Sequence, residues 1–508
     1  MTYPDKIDGA VLKVAGVVVL GAVMSILDIT VVNVALPVFQ TVFGTKAHPL
    51  AYSTVAWTVT GYTLALATVI PLSGWAADRF GTKRLYMVAI ALFTLGSALC
   101  ATAVSMNELI FFRVLQGLGG GMLMPLGMTI MTRAAGPARM GRLMAILGVP
   151  MLLGPILGPI LGGWLIEKAS WHWIFLINVP IGVIALVYAW FALEKDDPQP
   201  SESFDFLGMA LMSPGLALFL FGVSSIPGTG TVTAPRVWVS MLVGIVLMAL
   251  FVRHSFRPNH PLLDLRLFKN RNLTVSIITM FLFAAAFFGG LLLVPTYFQE
   301  IRNQSTLHAG LLVAPQGIGA MLTMPIAGAL SDKMPVGRIV VPGLVLILIG
   351  MFGLTQIDAQ THFGLLIAML VVMGLGMGST MMPLFTAALK TLTNHEVARG
   401  STLLNISQQI ASSVGVAVMS VIVTNHLKHA PLALPAIASQ KDPKIVDQIG
   451  GPAAVLQGLG QAAHAFAQTY WVAWVLVALT LIPAFLLQRK HEESHLLDDE
   501  GVPPVVVH

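Results

Sequence analysis

The sequence is dominated by long apolar runs, each bounded by charged residues or by Pro and Gly. A helix needs about 20 consecutive apolar residues to cross the hydrocarbon core of a bilayer, and the runs have about this length. We therefore predict an all-α integral membrane protein of about fourteen transmembrane helices. The predicted spans are 13–36, 53–76, 84–104, 107–132, 141–166, 171–192, 206–225, 236–252, 273–298, 307–331, 339–357, 363–388, 400–424 and 468–488.

Two parts of this pattern have rival interpretations. The spans 206–225 and 236–252 are short and are separated by a stretch of Gly, Thr and Pro, so they could instead form one re-entrant pair. The first apolar run continues over 14–36 without the small-residue cleavage site that follows a signal peptide. We interpret this run as a retained first span.

Composition narrows the class of protein. Of the 508 residues, 56% are hydrophobic and 10% are charged, whereas soluble domains carry about 25% charged residues. The chain has a single cysteine, Cys100, and its sequence contains no Walker A, HExxH or GxSxG element. We therefore expect a secondary transporter rather than an enzyme, with no cofactor and no metal site, energised by an ion gradient.

The distribution of Lys and Arg predicts the orientation. With the N-terminus placed inside, the inner segments hold twenty of the 28 basic residues, the outer segments hold seven, and Arg113 lies within a span. Because basic residues accumulate in cytoplasmic loops, we expect both termini in the cytoplasm. This bias accounts for the net charge of +5 without a nucleic-acid partner. We expect a monomer surrounded by membrane lipids, and leave open whether a periplasmic adaptor docks on the long outer loop 425–467.

An internal repeat divides the chain. A Gly, an Asp four residues later and an Arg ten residues later occur in 74–84 and again in 328–338, a shift of 254 residues. Parallel halves that meet around a central cavity are a known transporter architecture. We predict an N-terminal six-helix bundle at 1–200, two linker helices at 201–260 and a C-terminal six-helix bundle at 261–508.

The charged residues of this repeat predict a conformational latch at the inner helix ends. An acid set among bases would pair with charges on neighbouring helices at a moving interface. Ordinary positive-inside charge is the alternative. The predicted latch residues are Gly74, Asp78, Arg79, Gly81, Arg84, Asp332 and Arg338.

One acidic residue stands apart from the others. Of the 23 Asp and Glu, Asp28 alone lies near the middle of a span. Charges inside a membrane are expensive and usually functional, and desolvation disfavours the charged form of a carboxyl group. Asp28 is therefore the candidate for taking up a proton on one side and releasing it on the other. A fixed ion pair with a basic residue is the alternative.

Arg113 in the fourth span is the natural partner of Asp28. Gln116, Gly117 and Gly120 share its helix face, at offsets of three, four and seven, and the glycines allow a neighbouring helix to approach closely. A contact between Asp28 and Arg113 that forms and breaks would load and unload the proton. A static structural role for Arg113 is the alternative.

Three further spans carry patterned residues. The fifth has glycines four residues apart, which give a smooth packing face, and prolines that bend the helix. This set is Gly154, Pro155, Gly158, Pro159, Gly162 and Gly163. The thirteenth has a polar stripe that lines a wet cavity or joins helices, and aromatic residues of the ninth are core residues or the wall of an apolar site. The candidate cavity residues are Asn33, Gln116, Asn405, Gln408, Gln409 and Phe287.

At these residues the chain resembles the major facilitator superfamily and, more narrowly, its bacterial fourteen-span drug:proton antiporters. The segments that carry the resemblance are 27–37, 74–84, 113–121, 148–163, 171–182 and 261–268. It implies the fold of that superfamily in a bacterial inner membrane, proton exchange at Asp28 and Arg113, an antiporter-type fifth helix, and a cavity for lipophilic, often cationic compounds. The chain departs from some relatives in having no acid within its later spans, since Leu282 stands one repeat after Asp28.

The leading hypothesis is efflux of small amphipathic drugs or other lipophilic compounds by proton antiport, with alternating access. The missing later acid favours neutral or weakly charged compounds over dications. A dedicated exporter of one metabolite or envelope lipid on the same fold is the second hypothesis. A membrane-embedded sensor or assembly partner that transports nothing is the third.

Overall fold

The computed structural model describes residues 7–44, 50, 52–135, 139–195, 203–229, 231–258, 261–393, 396–440 and 444–487. These residues form helices joined by short connections, without a β-strand among them. The long helices are α1 (Gly9–Val42), α2 (Trp57–Phe80), α3 (Thr82–Ala101), α4 (Met106–Ala135), α5 (Met140–Lys168), α6 (Trp173–Ala192), α7 (Phe206–Thr229), α8 (Pro235–Ser255), α9 (Arg271–Glu300), α10 (Thr306–Lys333), α11 (Gly337–Leu354), α12 (Phe363–Lys390), α13 (Val397–His429) and α14 (Pro452–Leu486).

The predicted helical membrane architecture is confirmed. Among the described residues, thirteen helices are long and apolar enough to cross a membrane. The remaining long helix, α5, has 29 residues, which at about 1.5 Å per residue exceeds the ~30 Å hydrocarbon core. Two of the helices consist of two segments: α6 is divided at Ile177, whose φ and ψ of −60° and −29° stay helical, and α12 is divided between Gly378 and Met381.

The structure decides between the two interpretations of 206–225 and 236–252. Helices α7 and α8 have 24 and 21 residues, so each is long enough to span the bilayer, and they pack along one another. Ser213 on α7 donates a hydrogen bond to the Thr68 carbonyl of α2 at 2.7 Å. The two helices are therefore separate spans, and the re-entrant pair is rejected.

The outer loop predicted at 425–467 is mostly helical in its described part. Helix α13 continues to His429, α14 begins at Pro452, and two short helices, Ala433–Ser439 and Lys444–Gln448, lie between them. A hydropathy pattern identifies only the part of a helix that lies within the hydrocarbon core of the bilayer. The Ala- and Gln-rich flanks have high helix propensity, so the helices extend beyond the apolar runs.

Helix packing repeats along the chain. In the first six helices, α1 packs on α5, α2 on α4, and α3 on α4 and α6. In the last six, α9 packs on α13, α10 on α12, and α11 on α12 and α14. The second set follows from the first by adding eight to each helix number, in keeping with the repeat in the sequence. The domain boundaries at 200 and 260 stay predictions.

The two sets of six helices meet through α5 with α10 and through α13 with α2 and α4, while α7 touches both α2 and α13. One end of the bundle carries a group of charged residues on these helices, and we call it the basic end. The residues that define it are Asp78, Arg133, Arg142, Asp332 and Arg399.

Candidate functional site

Asp28 lies well inside α1, a 34-residue helix. The Asp8 carboxylate caps the start of this helix by accepting a hydrogen bond from the Val11 amide at 2.8 Å. Helix α1 packs on α4, α5 and α6, and the Asp28 side chain is fully buried between them. The structure thus places the mid-span acid predicted from the sequence out of contact with both water and lipid.

Three side chains donate to the Asp28 carboxylate. Arg113 Nη1 lies 2.5 Å from its Oδ2 atom. Gln116 Nε2 lies 2.8 Å from Oδ1, and Asn178 Nδ2 lies 3.3 Å from the same atom. An ionised carboxylate only accepts hydrogen bonds, so this set of donors suits the charged form. The predicted contact between Asp28 and Arg113 is present, and Gln116 takes part in it.

Arg113 is held on several sides. Its Nε atom donates to the Thr58 carbonyl at 3.0 Å, and its Nη1 atom donates to Gln116 Oε1 at 2.7 Å. The guanidinium lies over the Tyr62 ring, with Cζ 4.2 Å from the ring centroid, where a cation–π attraction applies. These contacts offset part of the desolvation that a fully buried guanidinium suffers.

The glycine face of α5 packs directly on α1. A Cβ atom added at Gly154 would overlap Ile26, and one added at Gly158 would overlap Thr30. The Thr30 hydroxyl donates to the Gly154 carbonyl at 3.1 Å. The close approach predicted for this helix is therefore made to the helix that carries Asp28.

The rest of the fifth-span set is less involved. Gly162 faces Val31, whereas a Cβ at Gly163 would have nothing within 4 Å. Pro155 and Pro159 lie within the continuous helix α5, and the side chain of Pro155 lies outside the described residues.

Ion pairs at the basic end join helices from the two sets of six. Asp78 on α2 lies 3.6 Å from Arg399 on α13 and 3.7 Å from Arg133 on α4. Asp332 on α10 lies 3.0 Å from Arg142 on α5, and it accepts a hydrogen bond from the Gly141 amide at 2.7 Å. The two acids related by the sequence repeat thus make equivalent contacts, each to an Arg of the opposite set.

The other predicted latch residues have different surroundings. Arg79, Arg84 and Arg338 form no ion pair within the described part of the chain. Gly81 ends α2 with a φ of 87°, a conformation that favours glycine. A Cβ at Gly74 would lie 3.1 Å from Thr402 Oγ1 of α13, so the glycine permits close contact between the two sets of helices.

The candidate cavity residues do not form one contact group. Gln116 belongs to the Asp28 cluster. Asn405 is buried between α13 and α4, with its amide nitrogen 2.8 Å from the Ser401 carbonyl and 3.3 Å from Met128 Sδ. Phe287 is buried and stacks on Phe283, with 5.7 Å between ring centroids. Of the other three candidates, Gln408 is buried, Gln409 is half-buried, and Asn33 is exposed.

Sequence reasoning missed two polar residues beside Asp28. Asn178 and Ser97 contact each other at 3.1 Å, and Asn178 also contacts Asp28. The amides predicted as site residues lie in the first, fourth and thirteenth spans, and Asn178 in the sixth span was not among them. The available signal was Asn178 itself, because an amide inside an otherwise apolar span needs a hydrogen-bond partner.

Comparisons with known proteins agree with this fold. A family model described as Major Facilitator Superfamily matches residues 18–416. The chain is 46% identical over 518 aligned residues to the multidrug resistance protein B homolog of Mycobacterium tuberculosis, covering 98% of this chain and 94% of that protein. It is 31% identical over 415 residues to the putative multidrug resistance protein MdtD of Yersinia pestis, covering 81% and 87%.

Two solved structures share the architecture. The human organic anion transporter MFSD10 matches with a TM-score of 0.58 at 16% identity, covering 94% of this chain and 100% of that one. The proton:xylose symporter XylE matches with a TM-score of 0.57 at 15% identity, covering 92% and 94%. At these identities the similarity concerns the fold alone.

Proposed function

Because this chain belongs to the major facilitator superfamily of membrane transporters, we propose that it is a proton-coupled efflux antiporter for amphipathic drugs or other lipophilic compounds. Multidrug resistance proteins among its relatives support efflux at the level of the family. We place it in a bacterial cytoplasmic membrane with both termini and the basic end facing the cytoplasm, as the distribution of Lys and Arg predicts.

The observation that carries the proposal is the buried pair of Asp28 and Arg113. With Arg113 in contact, the carboxylate is held in its charged form by three donors. Arg113 occupies Oδ2 of Asp28, and a proton and the guanidinium compete for the carboxylate, so proton uptake requires Arg113 to withdraw. The alternation of these two states is the proposed coupling step.

Alternating access needs the basic end to open and close. In the structure this end is held by Asp78 with Arg399 and by Asp332 with Arg142. The side chain of Arg142 is 29% exposed, so water can replace the ion pair when the helices separate. Proton binding at Asp28 is proposed to shift the balance between the closed and open arrangements of these helices.

The proposed substrates are neutral or weakly charged. Among the described residues of α9–α14, the acids lie at helix ends and in connections rather than mid-span. The buried polar groups there include the amides of Asn405 and Gln408. Amides hydrogen-bond polar groups of a ligand without requiring an opposite charge.

The test is transport by purified protein in liposomes with an imposed pH gradient. The probes are ethidium and rhodamine, which are cationic, and Nile red, which is neutral. We expect an acid interior to drive accumulation of more than one probe, and Asp28→Asn to abolish it. Asp264→Asn is the matched control, because Asn also caps the short helix after Asp264.

Either of two results would overturn the proposal. Full pH-driven accumulation by Asp28→Asn would remove the proton role of that residue. A folded wild-type protein that moves none of the three probes under a pH gradient would instead favour a dedicated exporter of one metabolite or envelope lipid.

A further inference from the structure

We propose that Asn178 is a positioning residue of the proton site, which holds Asp28 in its charged form and thereby sets the pH at which the site takes up its proton. This inference rests on the proposed role of Asp28. It concerns a residue on α6, which packs on α1 and α3. Asn178 is the first residue after Ile177, which divides α6 into two segments, and its amide lies beside the Asp28 carboxylate.

Ser97 fixes the orientation of the side-chain amides of Gln116 and Asn178. Its hydroxyl donates to the Phe175 carbonyl at 3.0 Å, so its single proton is committed. The Ser97 oxygen is therefore an acceptor for Gln116 Nε2 at 3.2 Å and for Asn178 Nδ2 at 3.1 Å. Each amide nitrogen carries two hydrogens, one for Ser97 and one for Oδ1 of Asp28.

The orientation of Gln116 is fixed independently. Its Oε1 atom accepts from Arg113 Nη1 at 2.7 Å, and the Cys100 thiol lies 3.6 Å from the same oxygen. A flipped amide would turn its NH₂ group towards the Arg113 donor and its oxygen towards Asp28. The Gln116 nitrogen therefore faces the carboxylate, and Oδ1 is surrounded by N–H donors.

A protonated Asp28 does not fit this arrangement. Its O–H group would need an acceptor, but Oδ1 faces the amides of Gln116 and Asn178, and Oδ2 faces Arg113. Asn178 thus opposes proton uptake as long as it keeps its position. Because Asn178 belongs to α6 and Asp28 to α1, its release would couple proton uptake to the contact between these two helices.

The experiment is an infrared titration of the carboxyl group in detergent-solubilised protein, with the Asp28 signal identified by its loss in Asp28→Asn. A hydrogen bond to a charged group is worth about tenfold in proton affinity. We expect Asn178→Ala to move the titration midpoint to higher pH by about one unit. The pH of half-maximal probe transport should move in the same direction.

Thr94→Val is the matched control. Thr94 also lies where α3 meets α6, against Gly182, but its hydroxyl donates to Ile90 of its own helix at 2.7 Å. A merely structural role of the interface would give both variants the same effect. We expect the midpoint of Thr94→Val to equal that of the wild type.

A second variant keeps the inference testable if Asn178→Ala fails to fold. Ser97→Ala removes the acceptor that orients Asn178, whereas Arg113 still orients Gln116, and we expect a smaller shift in the same direction. An unchanged midpoint in the folded variants, or equal shifts in Asn178→Ala and Thr94→Val, refutes the role of Asn178. If no titrating carboxyl signal is lost in Asp28→Asn, the proposed function is contradicted instead, so the two failures are distinguishable.

Discussion

The Asp28 cluster and the basic end both contain Asp–Arg pairs, but they lie in different surroundings. Asp28 and Arg113 both belong to the first six helices, and both side chains have an exposure of 0%. Asp332 and Arg142 belong to opposite sets of helices, and the Arg142 side chain is 29% exposed. The same residue types thus form one pair inside a packed unit and another across the interface between the two sets of helices.

The difference in burial predicts a difference in energy. Removing one partner of a buried ion pair leaves an uncompensated charge and costs about 3–5 kcal/mol. A partly exposed pair contributes about 0–1 kcal/mol, because water and salt compete with it. The buried pair therefore fits the proposed proton role, and the partly exposed pairs at the basic end fit the proposed opening and closing of that end.

The largest expected effect is that of Arg113→Ala. Loss of the guanidinium leaves the Asp28 carboxyl group without its cation, and we expect a destabilisation of about 3–5 kcal/mol and no transport. Thermal unfolding monitored by size-exclusion chromatography measures the first effect, and probe accumulation in liposomes measures the second.

The neutral double variant Asp28→Asn/Arg113→Gln separates charge from packing. We expect it to regain most of the stability and none of the pH-driven transport. Arg338→Ala removes an exposed Arg without an ion pair in the described residues, so it should keep both properties. If Arg113→Ala transports normally, Arg113 is structural and the comparison fails.

Gly158→Ala tests the packing beneath the buried pair. Its added methyl group would overlap Thr30 of α1, so α5 must move away from the helix that carries Asp28. Overpacking of this kind costs about 1–3 kcal/mol, and we expect lower stability and strongly reduced transport in the same assays. Gly163→Ala is the control on the same helix, because its Cβ meets nothing within 4 Å. Equal behaviour of the two variants would contradict a specific role for this contact.

Asp332→Asn tests the basic end and should have a smaller effect. Asn keeps an acceptor for the Gly141 amide but removes the charge that pairs with Arg142. We expect the closed arrangement to lose about 1 kcal/mol, roughly a fivefold change in the population of the open one. Protein stability should change little.

Maleimide labelling of an introduced Ser73→Cys measures this opening. Ser73 is buried against Thr402 of the opposite helix set, with 3.1 Å between the hydroxyl oxygens. The only native cysteine, Cys100, is buried. Labelling should become about fivefold faster in Asp332→Asn and should stay unchanged in Arg338→Gln. An unchanged rate in Asp332→Asn would mean that its ion pair does not hold the basic end closed.

The features that were predictable from the sequence follow from local composition. Apolar runs predict spanning helices because lipid forces each segment to satisfy its own backbone hydrogen bonds. The contact of Asp28 with Arg113 was predictable by elimination, since no other acid lies mid-span and the other bases lie in connections or at span ends. Because charged residues are scarce inside the spans, the pairing of Asp28 with Arg113 could be predicted without a structure.

The features that escaped prediction depend on which helices meet. Asp78 and Asp332 were predicted to be latch residues, but their partners Arg399 and Arg142 lie far away in sequence. Nothing in a local pattern pairs α2 with α13 or α5 with α10. Asn178 was missed for the same reason, because its proposed role depends on the Asp28 carboxylate, which lies on another helix.

The smallest expected effect concerns Asp8, which forms an ion pair with Arg139 near the start of α1. The Val11 amide and, to a lesser extent, Arg139 hold the pKa of Asp8 below its usual range. Its charged form therefore adds stability above about pH 3.9, the ordinary pKa of Asp, and this contribution is lost as the pH falls through the lowered pKa of Asp8 in the folded protein.

Asp8→Asn keeps the helix cap but loses the ion pair. Its thermal midpoint should lie slightly below that of the wild type at neutral pH and should converge with it in acid. Because 42% of the Asp8 side chain is exposed, a loss as large as that in Arg113→Ala would contradict the rule that burial, rather than residue type, decides the strength of these pairs.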